Sequence, residues 1–126
     1  MALTTAGRDL IASLIIGGAG TPFDAGNTYI GVGDSADAFD VAQTDLQAST
    51  NVYRQAMEAS YPSALVNVIS FQALFATSVA NFAWEEWGVF NAATVGTMLS
   101  RKVESLGTKT SAQSWLLTVQ LTLTVA

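Results

Sequence analysis

Cysteine and histidine are both absent from this 126-residue chain, and only 12% of its residues are charged. Each absence removes a class of mechanism. Without Cys or His there is no structural zinc site of the usual kind, no haem ligation by these residues, no Ser-His-Asp or Cys-His nucleophile and no disulfide framework. Ten acidic residues against five basic ones leave a formal charge of −5. That sign is wrong for a phosphate-binding surface, because nucleic-acid affinity draws on clustered Lys and Arg that release counterions. No nucleic-acid partner is expected. The charged share is about half that of an ordinary soluble domain, so much of the surface must be Ser, Thr, Asn, Gln, Gly and apolar groups. This deficit predicts a surface partly covered by neighbouring subunits. The longest apolar stretch near the N-terminus, Leu14 to Gly20, falls far short of the ~20 residues of a membrane span, and no basic leader precedes it. One soluble domain over residues 1–126, made in the cytoplasm and without a membrane partner, is the expectation.

What is present is mostly strand pattern. Leu3, Ala6, Leu10, Ile11, Leu14 and Ile15 recur at three- and four-residue spacing, with Thr4 or Thr5 as N-cap, which predicts a short helix within an N-terminal arm over 1–20. Gly17, Gly18, Gly20 and Pro22 stop it. Tyr29, Ile30 and Val32 predict a short strand. The interval 33–51 is rich in Asp, Ser and Thr, which bond their own backbone, and reads as a long structured loop holding Asp34, Asp37, Asp40 and Asp45. Further strands are expected over Val52–Glu58, Leu65–Thr77, Phe82–Phe90, Thr97–Glu104 and Gln113–Val125, with turns at Tyr61-Pro62-Ser63, Asn91 to Gly96 and Ser105-Leu106-Gly107. The last strand is clearest, since Trp115, Leu117, Val119, Leu121, Leu123 and Val125 alternate with Leu116, Thr118, Gln120, Thr122 and Thr124. The fold class is mainly β: an antiparallel, barrel-like β-sandwich over 28–126 with one short N-terminal α-helix.

Four groups of residues invite chemistry. Gly31-Val32-Gly33-Asp34-Ser35-Ala36 matches a loose dinucleotide fingerprint, but no helix follows to hold a pyrophosphate, so a glycine-supported strand end is the expectation. Asp34, Asp37 and Asp40 could collect a hard cation, yet they lack the spacing, central glycine and terminal glutamate of an EF-hand, and a solvated loop is expected. Glu85 and Glu86 are adjacent, so on a strand they point to opposite faces and form no catalytic dyad. The same alternation would put Phe82, Trp84, Glu86 and Gly88 on one face and Glu85, Trp87 and Val89 on the other, one row in the core and the other at a subunit contact. Arg101, Lys102 and Glu104 read as an exposed strand cluster, and Arg54 as the structural partner of Asp45 or Glu86. No catalytic, cofactor-binding or metal-binding residue is assigned, and no cofactor is expected.

Several segments together resemble small tailed-bacteriophage virion proteins: Leu3 to Ala12, Tyr29 to Asp34, Gln43-Thr44-Asp45-Leu46 with Arg54, and Phe82 to Asn91 followed by Gly96 to Arg101. The block around Glu86-Trp87-Gly88-Val89-Phe90 with Gly96-Thr97-Met98 is similar to a pattern in the N-terminal modules of tail-collar and tail-fibre proteins. The resemblance implies a non-enzymatic role in particle assembly and offers no catalytic residues. A chain ending at Ala126 leaves no room for a fibre shaft or tip, which turns the expectation toward a capsid decoration protein of the virion, with a tail or neck collar or tail-fibre adaptor as the alternative. A carbohydrate-binding module stacking sugars on Trp84, Trp87 or Trp115 is the rival from another class. The expected partners are the chain itself, as a homotrimer first and a dimer second, and major capsid or tail and neck subunits. Trp84, Glu85, Trp87, Phe90, Leu3, Leu10, Asp34, Asp37 and Asp40 are the candidate contact residues.

Overall fold

The structure, a computed structural model, describes residues 2–126. One helix and seven strands follow in chain order: α1 (Thr5–Ile15), β1 (Tyr29–Gly33), β2 (Val52–Ala56), β3 (Ser63–Leu65), β4 (Val68–Phe75), β5 (Ala83–Phe90), β6 (Met98–Thr108) and β7 (Trp115–Thr122). The strands form two antiparallel sheets, ordered β2-β1-β5-β6 and β3-β4-β7. They lie face to face as a sandwich and do not join into a closed barrel.

Period-two alternation places the core. Ile30, Val32, Trp87 and Val89 of the four-stranded sheet meet Phe71, Ala73, Phe75, Val119 and Leu121 of the three-stranded one, all of them buried. An edge-to-face row runs through this layer: the ring centroids of Phe75 and Trp84 are 4.7 Å apart and those of Trp84 and Trp115 are 4.9 Å apart. The Trp84 indole N–H donates to the carbonyl of Ala80 at 2.9 Å, so this large ring is buried without an unpaired donor.

Helix α1 begins as its sequence predicts. The Thr4 hydroxyl accepts from the Gly7 N–H at 2.9 Å and donates to the carbonyl of Met98, while the Thr4 N–H bonds Leu99 O at 3.0 Å. One residue therefore caps the helix and ties it to β6. Leu3 extends the contact as a bridge to Ser100. Gly7 is the buried residue of α1, and a Cβ there would stand 2.5 Å from Leu99 O and 2.8 Å from its Cα. Gly7→Ala is expected to push the helix off β6 and to cost about 1–3 kcal/mol in urea unfolding, despite alanine's better helix propensity.

Two expectations need correction. The strand expected over Leu65–Thr77 starts only at Val68; Leu65 instead ends β3, and β3 and β4 form a hairpin turning at Val66-Asn67. Val66 has φ 57° and is 96% exposed, a left-handed conformation that a β-branched residue strongly disfavours. Val66→Gly is expected to raise the unfolding free energy by about 1 kcal/mol, read as a higher urea midpoint at unchanged slope. The second correction concerns Ser105-Leu106-Gly107, which lies inside β6. Trp84 pairs with Gly107 but Glu86 pairs with Val103, so β6 carries extra residues opposite β5 at a bulge.

Candidate functional site

The outer face of the four-stranded sheet is built from glycine. Gly31, Gly33 and Gly88 share it, and together they clear a floor on which the segment 34–51 lies down. A Cβ on Gly31 would stand 2.8 Å from the Phe90 ring and 3.2 Å from Leu46, and one on Gly33 would run into the Glu86 carboxylate. Gly31 and Gly33 thus serve close approach of a loop to a sheet, a role that needs no phosphate. Leu46, Phe90 and Met98 fill a second, smaller core between floor and loop.

Glu86 holds the loop in place. Its side chain is fully buried, as is that of Arg101, and Arg101 Nε donates to Glu86 Oε1 at 2.7 Å. The same carboxylate accepts from the loop N–H groups of Gln47 at 2.8 Å, Ala48 at 2.9 Å and Ser35 at 3.3 Å. Arg101 Nη1 reaches Gln43 Oε1 at 3.1 Å. A buried ion costs several kcal/mol to desolvate, and this one is compensated by a cation and by peptide dipoles converging on both oxygens. The expected exposed cluster is corrected for Arg101, which the outer-face position opposite Gly88 puts beneath the loop. Lys102 and Glu104 do form a half-exposed pair at 3.4 Å.

Arg54 takes Asp45 rather than Glu86, at 3.4 Å. Its guanidinium sits 3.5 Å over the Phe90 ring and donates to the carbonyls of Ala92 at 2.9 Å and Val95 at 3.0 Å. Burial lowers the Arg54 pKa, and the nearby Asp45 carboxylate opposes that shift. The residue thereby joins β2, the loop and the β5–β6 turn.

The expected contact residues fall into three groups. Trp84, Trp87 and Phe90 are 1%, 9% and 0% exposed, so their rings fill the interior of this chain and offer little surface to a neighbour. The alternation expected along β5 breaks at the register shift between Trp84 and Glu86: Trp84 joins Trp87 and Val89 in the core, while Glu86 and Gly88 face the loop. Leu3, Leu10 and Glu85 are half-buried, the last accepting from the Ser105 hydroxyl at 3.2 Å. Asp34, Asp37 and Asp40 are exposed on the loop. Asp34 accepts from Asn51 Nδ2 at 2.7 Å and Asp40 from the Ala42 N–H at 2.8 Å. Among the described residues no group of three or more carboxylates is placed to hold a metal ion.

The remaining surface has two features that strand patterning alone did not single out. Every residue of β3, β4 and β7 is uncharged, and on their outer face Leu74 and Leu116 stand opposite each other, 40% and 56% exposed. Apolar residues also occupy the tips of the molecule. Ile15 and Ile16 end the helix at 78% and 83% exposure, Leu65 and Val66 cap a hairpin at 79% and 96%, and Val95, at φ 56°, is 82% exposed. The sequence signal for the neutral sheet was available, since no charged residue follows Lys109. Comparison of the chain with protein-family models and with curated protein sequences gave no match.

Proposed function

We propose that this chain is a non-enzymatic structural protein of a tailed-bacteriophage virion, a capsid decoration protein that associates with itself and docks on the particle surface. The observation that carries the reading is the set of apolar residues held out at turn tips, above all Val66 and Val95. Each keeps a left-handed backbone conformation that glycine or asparagine would adopt at lower cost, and each exposes nearly all of its side chain. Such residues weaken the free chain and gain only when a neighbouring surface covers them. The polar chemistry supports the same reading. Glu86, Arg101, Arg54 and Gln43 are committed to holding a loop against a sheet, which is work on shape.

A tail or neck collar or tail-fibre adaptor would use the same surface at another place on the particle. The glycan-binding reading loses two of its three platforms, since the Trp84 and Trp87 rings lie inside and only Trp115 is half-exposed. The test is to purify particles of the phage that encodes the chain, separate heads from tails and identify the proteins of each by mass spectrometry. Recovery with heads is expected. Recovery with tails alone would replace decoration by the adaptor reading, and absence from particles would overturn both.

A further inference from the structure

Strand β7 forms one edge of its sheet, with β4 on one side and, among the described residues, no other strand or helix beside it. The Leu123 N–H bonds Asn67 O across the β4 side. By the two-residue period, the peptide groups of Leu116, Thr118, Gln120 and Thr122 therefore turn outward. Eight residues long, β7 contains no proline, no charge and no register shift against β4, so it has none of the devices that usually protect an edge strand. The other edges differ. β3 has three residues, β2 has five, and β6 is covered at its start by Leu3 and Thr4 and carries the Lys102–Glu104 pair further on.

We propose that β7 pairs antiparallel with β7 of a second copy of this chain across a two-fold axis at Val119, joining the two three-stranded sheets into one continuous sheet. This deepens the self-association in the function proposed above and rests on that part of it. Three observations select a second copy as the occupant. In the register centred on Val119, Thr118 faces the partner's Gln120 and Leu116 faces the partner's Thr122, so all four outward peptide groups find partners within the strand. Second, Trp115 and Leu117 point toward the core yet remain half-exposed, because the sheet ends beside them. The same register sets the partner's Leu123, itself 55% exposed, against Trp115, and the partner's Leu121 against Leu117. Third, the chain has a net charge of −5, but none of it lies on this sheet, so two copies approach here without like charges meeting at the seam. Pairing β7 with β3 of another copy would engage only a three-residue strand and would leave an edge open at each end.

The test uses two double variants at exposed outer-face positions. Thr118→Lys with Gln120→Lys places like charges opposite each other across the axis, and Thr118→Glu with Gln120→Glu does the same with the other sign. Sedimentation velocity in the micromolar range is expected to give a dimer for the unaltered chain and a monomer for each variant, with far-UV circular dichroism unchanged. Mixing the two variants in equal amounts is expected to restore a dimer containing one of each. A monomeric unaltered chain, a dimer or trimer that persists in the lysine variant, or a mixture that stays monomeric would each overturn the pairing. None of these results depends on where the protein sits in the particle, which the fractionation of heads and tails decides separately.

Discussion

Glu86→Gln is expected to lower the unfolding free energy by about 3–5 kcal/mol, because it leaves the Arg101 guanidinium buried beside an uncharged partner. The side chains of both residues are 0% exposed, so neither can turn to water. The amide has the shape of the carboxylate but offers one oxygen where the native residue offers two. Arg101 Nε and Gln47 N–H converge on one oxygen, and Ala48 and Ser35 N–H on the other. Whichever way the amide is turned, its NH2 meets donors. The effect should be uneven across the molecule, with hydrogen exchange at Ser35, Gln47 and Ala48 accelerating before that of the β4–β7 ladder. Replacing both Glu86 and Arg101 by leucine should recover part of the loss, since no charge is then buried, but not all, because the three loop N–H groups still lack an acceptor. Urea titration of the single and double variants measures both terms. A loss below about 1 kcal/mol for Glu86→Gln would show that the carboxylate does not organise the loop.

Lys109→Met is expected to cost about 2–4 kcal/mol by removing three charge-assisted hydrogen bonds at a buried site. Lys109 is 1% exposed, and its ammonium donates to the carbonyls of Ala76 at 2.7 Å and Val79 at 2.8 Å and to Asn81 Oδ1 at 2.8 Å. No carboxylate is among these partners. The three donors of the ammonium are instead met by three neutral oxygens, all from the segment between β4 and β5 where the chain crosses from one sheet to the other. The Lys109 N–H binds Phe82 O at 3.1 Å in the same place. Methionine fills the volume of the stem but strands the oxygens, and arginine should fail as well because its planar fork does not match three converging acceptors. Thermal unfolding of the two variants, with near-ultraviolet circular dichroism to follow Trp84 through its bond to Ala80, reads the loss of this crossing.

Elements whose order depends on near neighbours were readable from the amino acids. The period-two pattern of β7 and the N-cap needed only local spacing: β7 runs over Trp115–Thr122 within the expected Gln113–Val125, and Thr4, one of the two candidate threonines, is the cap. The hairpin at Val66-Asn67 was hidden because its turn uses valine where glycine or asparagine would have marked it. Along β5 the expected split of Glu86 and Gly88 from Trp87 and Val89 holds, but Trp84 falls on the core side with Trp87, for a different reason. The alternation breaks at the register shift between Trp84 and Glu86, which involves residues of β6 around 20 positions further along the chain and so leaves no local sign in β5. Lys109, set among Thr108, Thr110 and Ser111, carried no local sign of its burial. Residues from separate stretches of the sequence prove to be neighbours in space: Gly31, Gly33, Gln43, Leu46, Arg54, Glu86, Gly88, Phe90 and Arg101 all belong to the floor, the loop or the charges that join them.

The attachment of the loop to Glu86 also dictates when the loop can settle during synthesis. Ser35, Gln47 and Ala48 precede their common acceptor by 51, 39 and 38 residues, and Gln43 precedes Arg101 by 58. At a translation rate of about 5–20 residues per second, the loop leaves the ribosome roughly 2–10 s before the carboxylate that will order it. Throughout that interval the N–H groups of Ser35, Gln47 and Ala48 lack their native acceptor, while bonds internal to the loop, such as Ala42 N–H to Asp40, need no later residue. A segment made early thus waits for one made later before these four contacts can form.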